Sequence, residues 1–332
     1  MKMNALLLDE NKQLNLQPVD RPAPQRGEVR VKVKAAALNH RDLWIQKGMY
    51  PGMQLPCILG ADGAGVVDAT GKGVAKEWMG REVVIYPAMD WGDDDYVPQK
   101  SFRVLGMPDP GTFAEYICVP AENVLPKPAH LSWHEAAALP LTFLTAFRGI
   151  TEASGDIHTD EKILITGIGG GVATAGLTLT ALNNDVYVTS SSSEKIAAAV
   201  EMGAEGGVNY RDADWTHQLK QLSGGIDLVL DGSPAANLDD YLHFLNPGAR
   251  VVYYGATGSL QTRFSLPKFF LRYIQLTGST MGSPDDFSTM LEMVSDCKLR
   301  PVVSLVHAFR EFEKAFAALR GGEQTGKVVL EL

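Results

Sequence analysis

The chain has 332 residues, of which 45% are hydrophobic and 21% are charged, and its formal net charge is −9 at pH 7. This length is enough for about two domains with sizeable cores. The acidic balance disfavours a nucleic-acid partner or an anionic membrane surface, because both repel a negatively charged protein. A small molecule is therefore the expected partner.

Apolar runs and cysteines indicate the compartment. The run Leu6–Leu8 near the N-terminus is too short for a secretory signal. The longest apolar stretch, residues 136–147, is interrupted by Pro140 and falls short of a membrane span. The cysteines lie far apart without metal-ligand spacing, which favours a reducing compartment and no disulfide framework. We expect a soluble, cytoplasmic protein.

The first 140 residues have the pattern of a β-rich domain. Strands are predicted at residues 4–8, 28–35, 63–69 and 81–86, with proline and glycine between them. In the second of these strands the residues alternate, and Val29, Val31 and Val33 are predicted to face a core.

From about Leu141 the pattern changes to alternating strands and helices. Strands are predicted at residues 162–166, 186–189, 207–210, 226–231, 249–254 and 273–280. Because helical crossovers join parallel strands, this order predicts a six-stranded, doubly wound parallel sheet. Strands at 302–307 and 327–330, with a helix at 310–319, are expected to return to the first domain. We predict an α/β protein with one domain of residues 1–140 completed by 282–332, and a second of residues 141–281.

A glycine-rich turn is the most informative stretch of the sequence. It lies between the predicted strand 162–166 and a helix predicted from Val172 to about Leu182. Glycine lets the backbone approach a pyrophosphate closely, and the helix N-terminus favours an anion. The spacing Gly167-x-x-Gly170-x-x-Ala173 is a variant of the dinucleotide fingerprint. A plain flexible loop is the alternative, but the flanking strands and helix favour a cofactor site comprising Gly167, Gly169, Gly170, Gly171 and Val172.

The end of the next predicted strand bears on the choice of dinucleotide. A free ribose 2′-hydroxyl usually meets a carboxylate there, whereas a 2′-phosphate needs hydroxyls and cations. The sequence has no carboxylate at the strand end, and it offers Ser190, Ser191, Ser192 and Lys195, with Arg211 as a second cation. One serine could instead cap the following helix, and both roles are compatible. NADP(H) is therefore expected over NAD(H).

Two motifs point to a known family. The segments Ala37-Leu38-Asn39-His40-Arg41-Asp42 and Leu59-Gly60-Ala61-Asp62-Gly63-Ala64-Gly65-Val66-Val67 precede the nucleotide-binding pattern. Together they resemble the medium-chain dehydrogenase/reductase superfamily over essentially the whole chain. The resemblance implies a GroES-like β-rich domain plus a Rossmann domain with a doubly wound parallel sheet.

The sequence departs from the zinc-dependent members of this superfamily. Those members carry a cysteine ligand in the first motif and Gly-His-Glu in the second, where this chain has Asn39 and Ala61. The third ligand position falls near Leu141 or Thr142, and residues 86–111 contain no cysteine for a structural zinc. Since a catalytic zinc needs about three nitrogen, sulfur or oxygen ligands, no metal is expected.

The chain resembles the NADPH:quinone oxidoreductase branch, through Asn39 and the turn Gly48-Met49-Tyr50-Pro51. The resemblance implies catalytic roles for Asn39 and Tyr50. It further implies cofactor contacts for Asn39, Thr145, Tyr210, Gly255 and Lys327, with Thr145 and Gly255 at the nicotinamide and Lys327 close to the phosphates. Bland alternatives stay open: Tyr50 could pack in its turn, Asn39 could cap the next helix, and Lys327 could be an edge-strand charge. For Arg41 and Asp42 a capping or ion-pair role is preferred.

The expected chemistry follows from the missing metal. Without a Lewis acid, deprotonating an alcohol is difficult, whereas a quinone or α,β-unsaturated carbonyl accepts hydride with only hydrogen-bond donors at its oxygen. An NADPH-dependent reductase of such compounds is the first hypothesis. An alcohol or aldehyde dehydrogenase is the second, and a non-enzymatic cofactor-binding protein is the third.

A homodimer is the expected assembly. Residues 261–281 are rich in apolar side chains just before and within the last predicted strand of the sheet, Ile274–Met281. An apolar sheet edge is a liability in a monomer, and relatives in the superfamily commonly pair this edge across a two-fold axis.

Overall fold

The computed structural model describes residues 1–151, 153–155 and 157–332. These residues form two compact units, one of Met1–Leu141 with Gly282–Leu332 and one of Thr142–Met281. Along the described chain, no helix is long and apolar enough to cross a membrane.

The first part of the first unit is mainly strands. They are β1 (Lys2–Leu8), β2 (Leu14–Asp20), β3 (Glu28–Ala37), β4 (Cys57–Ile58), β5 (Asp62–Thr70), β6 (Glu82–Ile85), β7 (Ala88–Met89), β8 (Arg103–Val104), β9 (Tyr116–Pro120) and β10 (Val124–Pro126). The helices are α1 (His40–Gln46) and α2 (Trp133–Ala138), with 3-10 turns at Lys76–Trp78 and Ala121–Asn123. Helix α3 (Pro140–Ile150) contains the change from the first unit to the second.

The second unit alternates strands and helices. Its elements are β11 (Lys162–Ile165), α4 (Gly171–Thr180), β12 (Asp185–Ser190), α5 (Ser193–Glu201), β13 (Gly206–Asn209), α6 (Trp215–Ser223), β14 (Ile226–Asp231), β15 (Leu245–Tyr253), α7 (Leu266–Phe270) and β16 (Gln275–Gly278), with a 3-10 turn at Leu238–His243. All six strands are parallel, in the order β13-β12-β11-β14-β15-β16. The predicted fold class, a β-rich domain plus a Rossmann doubly wound sheet, is confirmed.

The chain then completes the first unit. It adds α8 (Pro284–Asp296), β17 (Val303–Ala308), a 3-10 turn at Phe309–Glu311, α9 (Phe312–Gly321) and β18 (Lys327–Glu331). The main sheet of this unit has the order β10-β6-β5-β3-β18-β17, and β9 also pairs with β3. Strand β3 is therefore central: β5 lies on one side of it, while β9 and then β18 lie on the other.

Hydrophobic alternation explains the position of β3. Val29, Val31 and Val33 are at most 2% exposed and belong to the main core of the first unit, as predicted. The opposite face carries polar residues such as Lys32. This rigid strand sets the positions of the residues that follow it, including Asn39.

The structure corrects several strand predictions. The sequence pattern did not reveal β2, β9, β10 or the two-residue strands β4, β7 and β8, which are too short or too polar to show a clear period. The last strand of the parallel sheet is shorter than predicted, because it spans only Gln275–Gly278. Tyr273 and Met281 on either side of it have positive φ angles of 57° and 51°, which are incompatible with extended backbone.

Candidate functional site

The glycine turn of the second unit lies between β11 and α4. Gly167 and Gly169 have φ angles of 66° and 106°, which only glycine adopts readily. The Gly170 N–H donates to the Gly167 carbonyl at 3.2 Å, and Gly170 is the N-cap of α4, so the free N–H groups of that helix begin at Gly171 and Val172. This local geometry suits an anion such as a pyrophosphate.

The buried Asp231 carboxylate bonds the residue that precedes the glycine turn. The Asp231 side chain at the end of β14 accepts from the Thr166 hydroxyl at 2.6 Å and from the Tyr241 hydroxyl at 2.9 Å. The Thr166 oxygen in turn accepts the N–H groups of Gly232 and Ser233 at 3.2 and 3.3 Å. Burial raises the pKa of Asp231, and these hydrogen bonds oppose the rise. The carboxyl ends of strands β11 and β14 are thus joined by side-chain hydrogen bonds.

The serines at the end of β12 and just after it lie beside the glycine turn. Ser190 is 5% exposed, and its hydroxyl donates to the Ile168 carbonyl at 3.4 Å. The Ser192 hydroxyl accepts from the Lys195 N–H at 3.2 Å and donates to the Glu194 carboxylate at 2.6 Å, so it does cap α5. Ser191 is half-buried between them.

Lys195 lies over the glycine turn. Its Cδ atom is 2.6 Å from the point where a Cβ on Gly169 would lie, so the side chain crosses the face of that residue. Partial burial lowers the pKa of Lys195. The structure therefore brings the predicted cation and the predicted glycines together.

The other predicted cofactor residues of this unit occupy the same sheet end or the helix before it. The Tyr210 N–H donates to the Ser190 carbonyl at 3.1 Å, and Tyr210 is 42% exposed. Gly255 follows β15, where an added Cβ would lie 3.2 Å from the Gly232 carbonyl oxygen. Thr145 is buried in α3.

A polar cluster forms in the first unit. Nζ of Lys327 donates to Oδ1 of Asn39 at 2.6 Å and to Oδ2 of Asp62 at 2.8 Å, and Nδ2 of Asn39 donates to the same Asp62 oxygen at 2.9 Å. The Leu141 N–H donates to the other Asp62 oxygen at 2.8 Å. Lys327 was expected close to the cofactor phosphates; the contacts that the structure gives its ammonium are with Asn39 and Asp62.

Asp42 adjoins this cluster. Its Oδ2 accepts the Asn39 N–H at 2.8 Å, at the start of α1, which is the preferred capping role. Asn39 itself occupies the N-cap position, but its side-chain amide bonds Asp62 and Lys327. Burial raises the pKa of Asp42 to about 6, against the opposing effect of Arg41 and of the Asn39 hydrogen bond.

Tyr50 packs beside the start of the same helix. The Arg41 guanidinium lies 4.8 Å from the centre of the Tyr50 ring, and its Nη1 donates to the Leu105 carbonyl at 2.7 Å. The ring is partly buried against the main core of the unit. The packing role of Tyr50 is therefore present, and its hydroxyl role stays a prediction.

The donors at the positions of the zinc ligands do not fit a catalytic zinc. Asn39 offers a neutral amide, Ala61 offers none, and Leu141 contributes its backbone N–H to Asp62. Within residues 1–151, 153–155 and 157–332, no group of three or more His, Cys, Asp or Glu side chains could hold a metal ion.

Sequence reasoning missed two residues of these sites. Asp62 was within the quoted second motif, directly after Ala61, where the zinc-dependent members have the glutamate of Gly-His-Glu; that position was the available signal. Asp231 ends a predicted strand of the parallel sheet, and a carboxylate at the carboxyl end of such a strand is a typical site position.

Comparison with known proteins identifies the family. A model of the alcohol dehydrogenase GroES-like domain matches residues 25–129, and a model of the zinc-binding dehydrogenase domain matches residues 167–296. A zinc-type alcohol dehydrogenase-like protein, YogA, of Leptosphaeria maculans is 35% identical over 339 residues, which cover 96% of this chain and 94% of that protein. A crystal structure of an NAD-dependent alcohol dehydrogenase has a TM-score of 0.89 and 34% identity, covering 99% of this chain and 100% of that one.

A more distant relative is a crotonyl-CoA carboxylase/reductase of Cereibacter sphaeroides, 26% identical over 342 residues, which cover 91% of this chain and 79% of that protein. The chain belongs to the medium-chain dehydrogenase/reductase superfamily, as its motifs predicted. It is an oxidoreductase that uses a nicotinamide cofactor and acts on small molecules.

Proposed function

We propose that the protein reduces a quinone or an α,β-unsaturated carbonyl compound with NADPH and without zinc. The observation that carries this proposal is the polar cluster of the first unit, in which the Asn39 amide and the Lys327 ammonium are hydrogen-bonded to Asp62. The described residues include no set of zinc ligands there. The amide and the ammonium can bond a carbonyl oxygen, but they supply no Lewis acid to lower the energy of an alkoxide.

The reaction is a two-electron reduction. Bound NADPH would supply the two electrons as a hydride to a carbon of the acceptor, and the glycine turn with Ser190, Ser191, Ser192 and Lys195 would hold it. The negative charge that develops on the acceptor oxygen is stabilised by hydrogen-bond donors, and a proton from Tyr50 or solvent completes the product.

The cofactor preference rests on the second unit. Three serines and Lys195 gather at the end of β12, where a 2′-phosphate would need hydroxyls and a cation. The Glu194 carboxylate is next to this group and is the one feature there that would favour a free ribose hydroxyl.

An alcohol dehydrogenase is the second candidate function. The similarity to the zinc-type alcohol dehydrogenase-like protein YogA and to the NAD-dependent alcohol dehydrogenase structure favours it, and the latter favours NAD. The name of the crotonyl-CoA carboxylase/reductase instead specifies an α,β-unsaturated acyl substrate. We further propose a cytoplasmic homodimer, because the cysteines are unpaired thiols and the parallel sheet has an exposed apolar edge.

A substrate panel tests the proposal. Chelator-treated protein is mixed with NADPH or NADH and with quinones, enones, enals or saturated ketones, and separately with NADP⁺ or NAD⁺ and alcohols, while nicotinamide absorbance is followed. We expect turnover of conjugated acceptors with NADPH and protein that contains no stoichiometric zinc. About one zinc per chain by elemental analysis after chelation, or steady oxidation of saturated alcohols alone, would favour the alcohol dehydrogenase.

Tyr50→Phe tests the catalytic part of the proposal. The ring keeps its contact with Arg41, but the donor is lost, so kcat for the best conjugated acceptor should fall about tenfold or more with cofactor affinity little changed. Tyr116→Phe is the matched control, because the Tyr116 ring also contacts arginine, with Arg30 5.5 Å from its centre. Wild-type turnover in Tyr50→Phe would leave Tyr50 with its packing role alone.

A further inference from the structure

Three neighbouring strands of the first unit bring Asn39, Asp62 and Lys327 together. Asp62 opens β5 and Lys327 opens β18, and both strands pair with the end of β3 at Ala37. Asn39 lies two residues beyond that strand end. The cluster is therefore built on rigid backbone, and the three side chains are only 6%, 0% and 4% exposed, respectively.

Opposite charges fix the direction of the Asn39 amide. Its oxygen faces the Lys327 ammonium at 2.6 Å, and its nitrogen faces the Asp62 carboxylate at 2.9 Å. A half-turn of the amide would set N–H groups against the ammonium and the oxygen against the carboxylate. Because hydrogen bonds to charged groups are the strong ones, only the observed direction is favourable.

Further hydrogen bonds fix the Lys327 ammonium, the Asp62 carboxylate and the Asn39 backbone. Lys327 also donates to Asp62, whose second oxygen accepts the Leu141 N–H at 2.8 Å. The Thr112 hydroxyl donates to the Asp62 carbonyl at 2.7 Å, and Asp42 accepts the Asn39 N–H at 2.8 Å. Both the backbone and the side chain of Asn39 are thus constrained.

One hydrogen of the amide is left for a ligand. Nδ2 carries two hydrogens, and over the described part of the chain only Asp62 accepts from it. We propose that Asp62 and Lys327 are positioning residues, which hold the second Nδ2 hydrogen of Asn39 as a donor to the carbonyl oxygen of the acceptor. A donor fixed in advance stabilises charge that develops on that oxygen without reorganising.

This inference rests on the proposed reduction, and it gives Lys327 a role different from phosphate binding. If the ammonium positions Asn39, its loss should lower kcat and leave NADPH affinity unchanged. If the ammonium binds the cofactor phosphates, its loss should weaken NADPH. The two roles therefore separate in one pair of measurements.

Lys327→Met is the first variant. We expect kcat for the best conjugated acceptor to fall about tenfold, with the NADPH dissociation constant unchanged, because the amide loses the charge that sets its direction. Lys327→Arg keeps a cation and should restore part of kcat. Lys314→Met, which removes a surface lysine paired with Glu311, is the control and should match wild type.

Two further variants separate positioning from folding. Lys327→Met leaves the Asp62 carboxylate buried without its cation, so Asp62→Asn/Lys327→Met, which removes both charges, is made beside it. It should fold and show the same low kcat. In an Asn39→Ala background, Lys327→Met should lower kcat no further, because residues that act through one group are not additive.

The outcomes distinguish this inference from the proposed function. A wild-type protein that turns over no conjugated acceptor overturns the proposed function, and this inference with it. If the wild-type protein does reduce conjugated acceptors, any one of three results overturns the inference alone. These are full kcat in Lys327→Met, weakened NADPH binding in that variant, or a further additive loss of kcat when Lys327→Met is added to Asn39→Ala.

Discussion

At the residue scale, burial changes the pKa of the Asp42 carboxylate. The sequence suggested an ordinary capping aspartate, and the capping bond to the Asn39 N–H is present. The side chain is fully buried, however, and in the described structure its Oδ1 has no hydrogen-bond partner. Burial therefore raises the pKa of Asp42 to about 6. Between about pH 4 and 6 the folded protein therefore retains a proton here that the unfolded chain releases.

A pH-dependent stability follows from this shift. Between about pH 4 and 6 the folded state binds more protons at Asp42 than the unfolded state, so the free energy of unfolding falls as pH rises through this window. Asp42→Asn removes the titration. Relative to wild type, the unfolding free energy of the variant should rise by up to about 3 kcal/mol across the window.

Urea unfolding of both proteins at several pH values measures the difference directly. Asp20→Asn changes an exposed aspartate on β2 and serves as the control for the same substitution at the surface. A pH-independent difference for Asp42→Asn would mean that Asp42 titrates like an exposed carboxyl.

We predict that Lys195 and Glu194 make opposite contributions to cofactor choice. Lys195 crosses Gly169, and Glu194 bonds Ser192 beside it. Lys195→Ala should weaken NADPH binding roughly tenfold to a hundredfold, about 1.5–3 kcal/mol for a lost charge-assisted bond, and leave NADH nearly unchanged. Glu194→Gln should strengthen NADPH binding by removing a like charge. Titrations of each variant with both cofactors measure this, and equal losses for NADPH and NADH in Lys195→Ala would contradict the assignment.

At the scale of elements, the glycine turn contains two glycines with different requirements. Gly169 has a φ of 106°, and an added Cβ would lie 2.6 Å from Lys195. Gly170 does not have a positive φ, and the nearest atom to an added Cβ is the Gly167 oxygen at 3.5 Å. Of these two positions, backbone conformation therefore demands glycine only at Gly169, and we predict that close approach of a cofactor phosphate demands it at Gly170.

Alanine substitution separates these requirements. Gly169→Ala should lower the unfolding free energy by about 1–3 kcal/mol, because it strains the backbone. Gly170→Ala should keep wild-type stability and weaken both NADPH and NADH. Thermal unfolding without cofactor and binding titrations measure the two effects. A stable Gly169→Ala protein, or a Gly170→Ala protein with normal cofactor affinity, would contradict this division.

The elements that the sequence predicted well are those with a strong local signal. Strand β3 alternates clearly, and the segment from β11 to α4 is indicated by an apolar run and a glycine-rich turn; the buried residues of β3 and β11 follow these patterns. Short strands such as β4 contain too few residues to show a period. The partners of Asn39 could not be predicted either, because Asp62 and Lys327 are 23 and 288 residues away and meet only through strand pairing. The motif that indicated Asn39 therefore gave its position without its hydrogen bonds.

At the scale of the whole molecule, the two main sheets end differently. Strand β16 closes one edge of the parallel sheet, and the segment before and within it exposes large apolar side chains: Leu266 at 66%, Phe270 at 63%, Leu271 at 71%, Tyr273 at 78% and Leu276 at 38%. Strand β17 closes an edge of the main sheet in the first unit and exposes Val306 at 42%. An exposed apolar patch on an open sheet edge, such as the one at β16, is typical of a protein interface.

Pairing of β16 with its copy across a two-fold axis would join two parallel sheets into one and cover these side chains. We predict that the protein sediments as a dimer at micromolar concentration. Leu276→Lys should shift it toward monomer, because an unpaired ammonium in the interface should cost more than about 1.4 kcal/mol, a factor of ten in the dissociation constant. Val306→Lys places the same charge on the other exposed edge and should leave the dimer intact. A wild-type mass of one chain, or dissociation by Val306→Lys and not by Leu276→Lys, would remove β16 as the contact.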